Sequence, residues 1–112
     1  MSERILRIND LIQKELGKIF LKEIDLPRNI LITITRVETA SNLNTAKVFV
    51  SVIPDNQSER VLKIINRIVY HIQQCLNKSL NMHPIPKIIF KKEDKTYKAA
   101  RVEEVLKELK NK

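Results

Sequence analysis

Catalysis and metal binding need side chains that move protons, attack substrates or donate lone pairs, and this chain carries few of them. It has two histidines, His71 and His83, one cysteine, Cys75, and one glycine, Gly17. His71 and Cys75 stand one helical turn apart and would offer half of a zinc site. No second Cys or His pair follows at ligand spacing, so no metal is expected. His83 falls in the turn Met82-His83-Pro84-Ile85-Pro86 and reads as a surface residue rather than a general base. The acidic pairs Glu93-Asp94 and Glu103-Glu104 are immediate neighbours, which point apart on a helix or strand and suit solvent better than acid and base work. A single glycine rules out a glycine-rich phosphate loop and a nucleophile elbow. The chain is therefore expected to be no enzyme and to need no cofactor.

A different chemistry stands out between Ser58 and Leu80. Wound at about 100° per residue, Arg60, Lys63, Arg67, His71, Gln74 and Lys78 fall within an arc of about 80°, with Tyr70 at its border. No carboxylate belongs to this arc, whereas an ordinary solvated helix face mixes both signs. A row of cations and hydrogen-bond donors suits a phosphate backbone, and the rings of Tyr70 and His71 offer surfaces on which a base can stack. A second basic cluster, Lys87, Lys91, Lys92, Lys95, Lys98 and Arg101, is partly neutralised by Glu93 and Asp94. A third, Arg4, Arg7, Lys14, Lys18 and Lys22, is interrupted by Leu11 and Glu15 and is the weakest of the three.

Composition agrees with a polyanionic partner. The 112 residues hold 21 Lys and Arg against 13 Asp and Glu, a formal charge of +8, and the isoelectric point is near 9.8. Nucleic acid is the leading partner class for such a balance. With 43% apolar and 30% charged residues the chain is expected to fold around one core. No stretch approaches the roughly 18 apolar residues of a membrane span, and the opening Met-Ser-Glu-Arg-Ile lacks a signal peptide's apolar run. A lone cysteine suits a reducing compartment. A cytoplasmic protein without membrane contact is expected.

The elements that must position these groups follow from periodicity. Ile5, Ile8, Ile12, Leu16 and Ile19 recur at helical spacing from Ser2, a suitable N-cap, to about Ile24, with Leu11 and Phe20 flanking the stripe and Pro27 beyond the end. Ile30 to Glu38 is β-branched, with Ile30, Ile32 and Ile34 on one face and Leu31, Thr33, Thr35 and Val37 on the other. Ala46 to Ile53 alternates likewise, and Thr39 to Thr45 reverses the chain, which predicts an antiparallel hairpin. Pro54-Asp55-Asn56 ends it, and Ser58 is placed to cap a long helix reaching about Leu80. Lys87 to Lys92 reads as a third strand. Lys98 to Lys110 carries Val102, Val105, Leu106 and Leu109 on one stripe and divides the chain into a domain over 1–97 and a charged helix or tail over 98–112.

Several stretches in this order resemble the bacterial ribosome-binding factor A family. They are Arg7-Ile8, Ile12 and Glu15-Leu16 with Pro27-Arg28, then Val37-Glu38, Leu43 and Ala46-Lys47-Val48-Phe49-Val50-Ser51. Leu76, Lys78, Leu80, Pro86 and Phe90 follow, then Asp94, Thr96, Arg101-Val102 and Leu106. The resemblance implies an α+β, type II KH-like single domain of αββααβ order, with a three-stranded mixed sheet beside a bent helix pair and a C-terminal amphipathic segment. It implies a monomer that binds free or immature small (30S) ribosomal subunits and their 16S rRNA late in assembly, aiding rRNA processing, often in the cold, without catalysis. The chain departs from the family pattern at Leu26, Ala40 and Asn42, and the family's small Ala-x-Gly bend aligns with Ile68-Val69-Tyr70. An RNA surface is therefore expected to rest on side chains rather than on close backbone approach.

Two readings of other classes stand beside this one. A protein-interaction module would dock the stripe Val102, Val105, Leu106 and Leu109 on a partner protein. A small nuclease or phosphotransfer enzyme would need clustered carboxylates, which the sequence lacks.

Overall fold

The computed structural model describes residues 2–93. The boundary at residue 97, the segment 98–112 and Lys95, Lys98 and Arg101 of the second basic cluster lie outside the described residues.

Helix α1 (Glu3–Glu23) begins as expected, with Ser2 Oγ accepting the Ile5 N–H at 3.2 Å. Its apolar stripe buries Ile8, Ile12, Leu16 and Ile19. Phe20 is buried with them and meets Phe90 with ring centroids 5.7 Å apart. Burying side chains of this size favours folding by about 1.5–3 kcal/mol each. Asn9 is buried on the same helix, and its Oδ1 accepts the Thr39 N–H at 2.9 Å, which ties α1 to the sheet.

Strand β1 (Leu31–Thr39) pairs antiparallel with β2 (Thr45–Ile53), and β3 (Lys87–Lys92) lies parallel to β2, giving the order β1-β2-β3. The fold is the α+β, KH-like arrangement with a mixed sheet. Ala46, Val48, Val50 and Val52 all face the core, as their alternation predicts. Strand β1 departs from simple alternation. Its register shifts between Ile34, opposite Val50, and Arg36, opposite Phe49, so that Thr35 bulges. A bulge inserts one residue and exchanges the two faces beyond it. Val37, expected on the face opposite Ile32 and Ile34, therefore lies in the same core as they do.

After β2 a short 3-10 turn (Asp55–Gln57) leads into α2 (Ser58–Arg67). The expected capping role of Ser58 is not realised. The chain enters α2 already helical, Gln57 having φ −95° and ψ 0°, whereas a capping side chain needs an extended backbone at its own position. Ser58 is the first residue of the helix, buried, and its Oγ meets no hydrogen-bond partner among the described residues. Helix α3 (Val69–Ser79) follows after Ile68. The helices cover one face of the sheet, and the main core lies between them and the buried rows of β2 and β3.

Candidate nucleic-acid interface

Two amphipathic helices hold the polar face that the sequence singles out. In α2, Val61 and Ile65 are fully buried while Arg60, Lys63 and Arg67 are exposed. In α3, Ile72 and Leu76 are fully buried while Tyr70, His71 and Lys78 are exposed and Gln74 is half-buried. The two are not one helix. At Ile68 the backbone leaves helical values (φ −109°, ψ 15°), its N–H turns to the Ile65 carbonyl at 3.3 Å, and the ladder resumes from Ile72 to the Ile68 carbonyl at 3.0 Å. Packing accounts for the break. α2 lies against β2 and β3, whereas α3 lies against α1 and β3, and a straight rod of this length would leave one of these contacts. Ile68 itself is half-buried against the core, so a large apolar side chain holds the bend without small residues.

The single arc of the sequence reading is thus divided. Arg60, Lys63 and Arg67 form one basic patch, and Tyr70, His71, Gln74 and Lys78 form another beyond the bend. Lys87 and Lys91 join neither, because they alternate with buried Ile88 and Phe90 and so point to the sheet face away from the helices. Lys92 reaches back toward the entrance of α2, where its Nζ lies 3.6 Å from Asp55 Oδ1.

The expected freedom from carboxylates fails at His71. Glu23, at the last position of α1, brings Oε2 to 2.8 Å from His71 Nε2. Among the described residues, Arg60, Lys63, Arg67 and Lys78 keep no ion-pair partner, which leaves them open to phosphate. The first-helix stripe is more occupied: Arg7 pairs with Glu3 and Lys18 with Glu15. A new helix N-terminus begins at Val69, with no side-chain cap from Ile68 before it.

Comparison with known proteins decides what this arrangement belongs to. The family model described as ribosome-binding factor A matches residues 4–106. A protein of that name from Halothermothrix orenii is 31% identical over 109 residues, covering 96% of this chain and 89% of the relative. The chain belongs to the ribosome-binding factor A family. The crystal structure of ribosome-binding factor A from Thermus thermophilus shares its fold, with a TM-score of 0.69 at 17% identity over 79% of this chain and 93% of that one. Coordinates of the Thermus thermophilus factor fitted into a map of a 30S complex also match, with a TM-score of 0.60 at 16% identity over 82% and 93% of the two chains.

In this member of the ribosome-binding factor A family, the sequence reading missed two residues that shape the site. Gln73 accepts the Ile88 N–H at 2.9 Å and donates to the Pro86 carbonyl at 3.2 Å, so it fastens α3 to β3. Its only sequence signal was a polar residue beside the apolar stripe. Glu23 gave none, because 48 residues separate it from His71. A cleft of about 760 Å³ opens between α1 and β1, lined by Phe20, Leu21, Ile24 and Ile30 among others. Its polar lining is chiefly Gln13, Lys14, Lys18, Asp25 and Thr33.

Proposed function

We propose that this chain binds the small ribosomal subunit through its 16S rRNA during late assembly, and aids maturation and processing of that RNA without catalysing a reaction. The observation that carries the reading is the pair of basic patches on α2 and α3. Four cations there, Arg60, Lys63, Arg67 and Lys78, have no ion-pair partner among the described residues, and Tyr70, in the first turn of α3, exposes its ring. Exposed cations next to an exposed aromatic ring suit RNA, which offers phosphates and unstacked bases together. The Thermus thermophilus relative placed in a 30S complex supports the choice of partner. Binding alone suffices for such a role. A factor that binds one RNA arrangement more tightly than another shifts the population toward it by that difference in affinity.

Sedimentation of a cell lysate tests the proposal. The protein is expected with free or immature small subunits and scarcely with complete ribosomes, and its loss should raise precursor 16S rRNA, more so in the cold. Equal occupancy of free subunits and complete ribosomes, with unchanged precursor, would overturn it.

A further inference from the structure

Where α1 ends against α3, three metal-ligating side chains meet: Glu23 on α1, and His71 and Cys75 on α3. Their donor atoms all lie within 4.8 Å of one another. His71 Nε2 stands 2.8 Å from Glu23 Oε2 and 3.7 Å from Cys75 Sγ. We propose that Glu23, His71 and Cys75 form a binding site for zinc or a similar borderline-soft divalent metal ion, with solvent as the fourth ligand.

The geometry is close to what such an ion requires. Tetrahedral zinc sits about 2.0–2.2 Å from nitrogen or oxygen and about 2.3 Å from sulfur, which spaces its ligands about 3.3–3.6 Å apart. The sulfur–nitrogen separation already has this value to within about 0.2 Å, and the carboxylate has to move off the imidazole by about half an ångström while closing on Cys75 Sγ, from which it now lies within 4.8 Å. Rotation of an exposed glutamate side chain provides that without moving either helix. The four-residue step from His71 to Cys75 places both on one helical face, and the packing of α1 on α3 supplies the third donor, which the sequence alone does not reveal.

The donor set selects the ion. A thiolate, an imidazole and a carboxylate suit zinc and cobalt, whereas magnesium and calcium prefer oxygen alone. A thiolate and a carboxylate also balance the two positive charges of the ion, with neutral imidazole completing the set. Half of the site is open, the His71 and Glu23 side chains being 58% and 35% exposed, so the ion can enter from solvent and keep a water molecule. Because the thiol must lose its proton to bind, uptake releases a proton to solvent. Once bound, the ion links the end of α1 to α3 and draws His71 out of the basic face.

The test needs only the full-length protein, cobalt(II), zinc(II) and a non-coordinating buffer, so its outcome is independent of RNA binding. Cobalt is expected to bind one-to-one, with the intense visible bands of tetrahedral cobalt and a thiolate-to-cobalt charge-transfer band, and zinc should abolish both. Glu23→Gln and Cys75→Ser should each weaken binding by more than the roughly 10- to 100-fold that loss of an outer-shell partner costs. His83→Ala, which alters the other histidine, should bind as the wild type does. Zinc should also slow alkylation of Cys75 in the wild type but not in Glu23→Gln, a variant whose altered side chain is on the surface. Cobalt bound without a thiolate band, or wild-type affinity and zinc protection in Glu23→Gln, would overturn the site.

Discussion

Replacing Arg67 and Lys78 with glutamine removes two of the four cations that α2 and α3 present without an ion-pair partner among the described residues. In the proposed contact each cation displaces condensed counterions from RNA, contributing about 0.7–0.9 to the slope of log affinity against log salt. Four contacts then give a slope of about 2.8–3.6, and a rise from about 50 to 200 mM salt weakens wild-type binding about 50- to 150-fold. With two contacts left the slope is about 1.4–1.8, and the same rise costs only about 7- to 12-fold. The fold should tolerate the change. Both residues lie in the last turn of their helices, where a cation favours the macrodipole by about 0.3–1 kcal/mol, so together they contribute at most about 2 kcal/mol. The assay is fluorescence anisotropy of labelled protein titrated with small subunits at several salt concentrations, with Lys14→Gln plus Lys22→Gln on α1 as the control. A folded Arg67/Lys78 variant whose salt line runs parallel to the wild type, or a control that loses as much slope, refutes the assignment. The sheet face bearing Lys87 and Lys91 would then become the surface to test.

Three further outcomes concern the frame that holds this face. Gln73→Ala leaves the Ile88 N–H without its acceptor, which should lower stability by about 1–3 kcal/mol in urea titration while sparing RNA affinity at temperatures where the variant is folded. Ser58→Ala removes a buried hydroxyl that has no partner, so urea titration should find stability unchanged or raised, by up to about 1 kcal/mol; a clear loss would reveal a bond the geometry does not contain. A chain ending at residue 97 should still unfold cooperatively, because it keeps every strand and helix of the described residues, through β3; loss of cooperativity by circular dichroism would make the stripe Val102, Val105, Leu106 and Leu109 part of the core.

The strands and helices were legible because each rests on a local period: Ile8, Ile12, Leu16 and Ile19 repeat at the helical interval, and Ala46 to Val52 at two. Features that depend on what packs against an element were not. Nothing in Thr33-Ile34-Thr35-Arg36 marks a bulge. It is fixed by the tertiary partners of Thr35, whose Oγ1 reaches the Phe49 carbonyl at 3.3 Å and Glu93 Oε1 at 2.6 Å. Arg36 beside it lies over the Phe49 ring at 3.7 Å and donates to Glu93. Those partners come from two other places in the chain, so no local period can announce them. The same holds at the candidate interface: the types of its residues were readable, but the carboxylate of Glu23 beside His71 exists only once α1 is docked on α3.

The break at Ile68 bears on the kind of RNA that suits the proposed contact. An unbroken helix rising about 1.5 Å per residue would set Arg60 and Lys78 about 27 Å apart on one line, a row able to follow a regular phosphate backbone. The bend replaces that row with two short patches, Arg60 to Arg67 and Tyr70 to Lys78, spanning about 10 and 12 Å. Between them lies the new N-terminus of α3, with the last-turn cation Arg67 before it and the exposed ring of Tyr70 within it. A straight A-form duplex suits a straight row of cations better than a broken one, and its deep, narrow major groove would hide its bases from Tyr70. A junction or single-stranded turn can place phosphates on both patches and an unstacked base on the ring. For the proposed role, the broken helix therefore favours irregular RNA over regular duplex, and that is a preference an unbroken face would not supply.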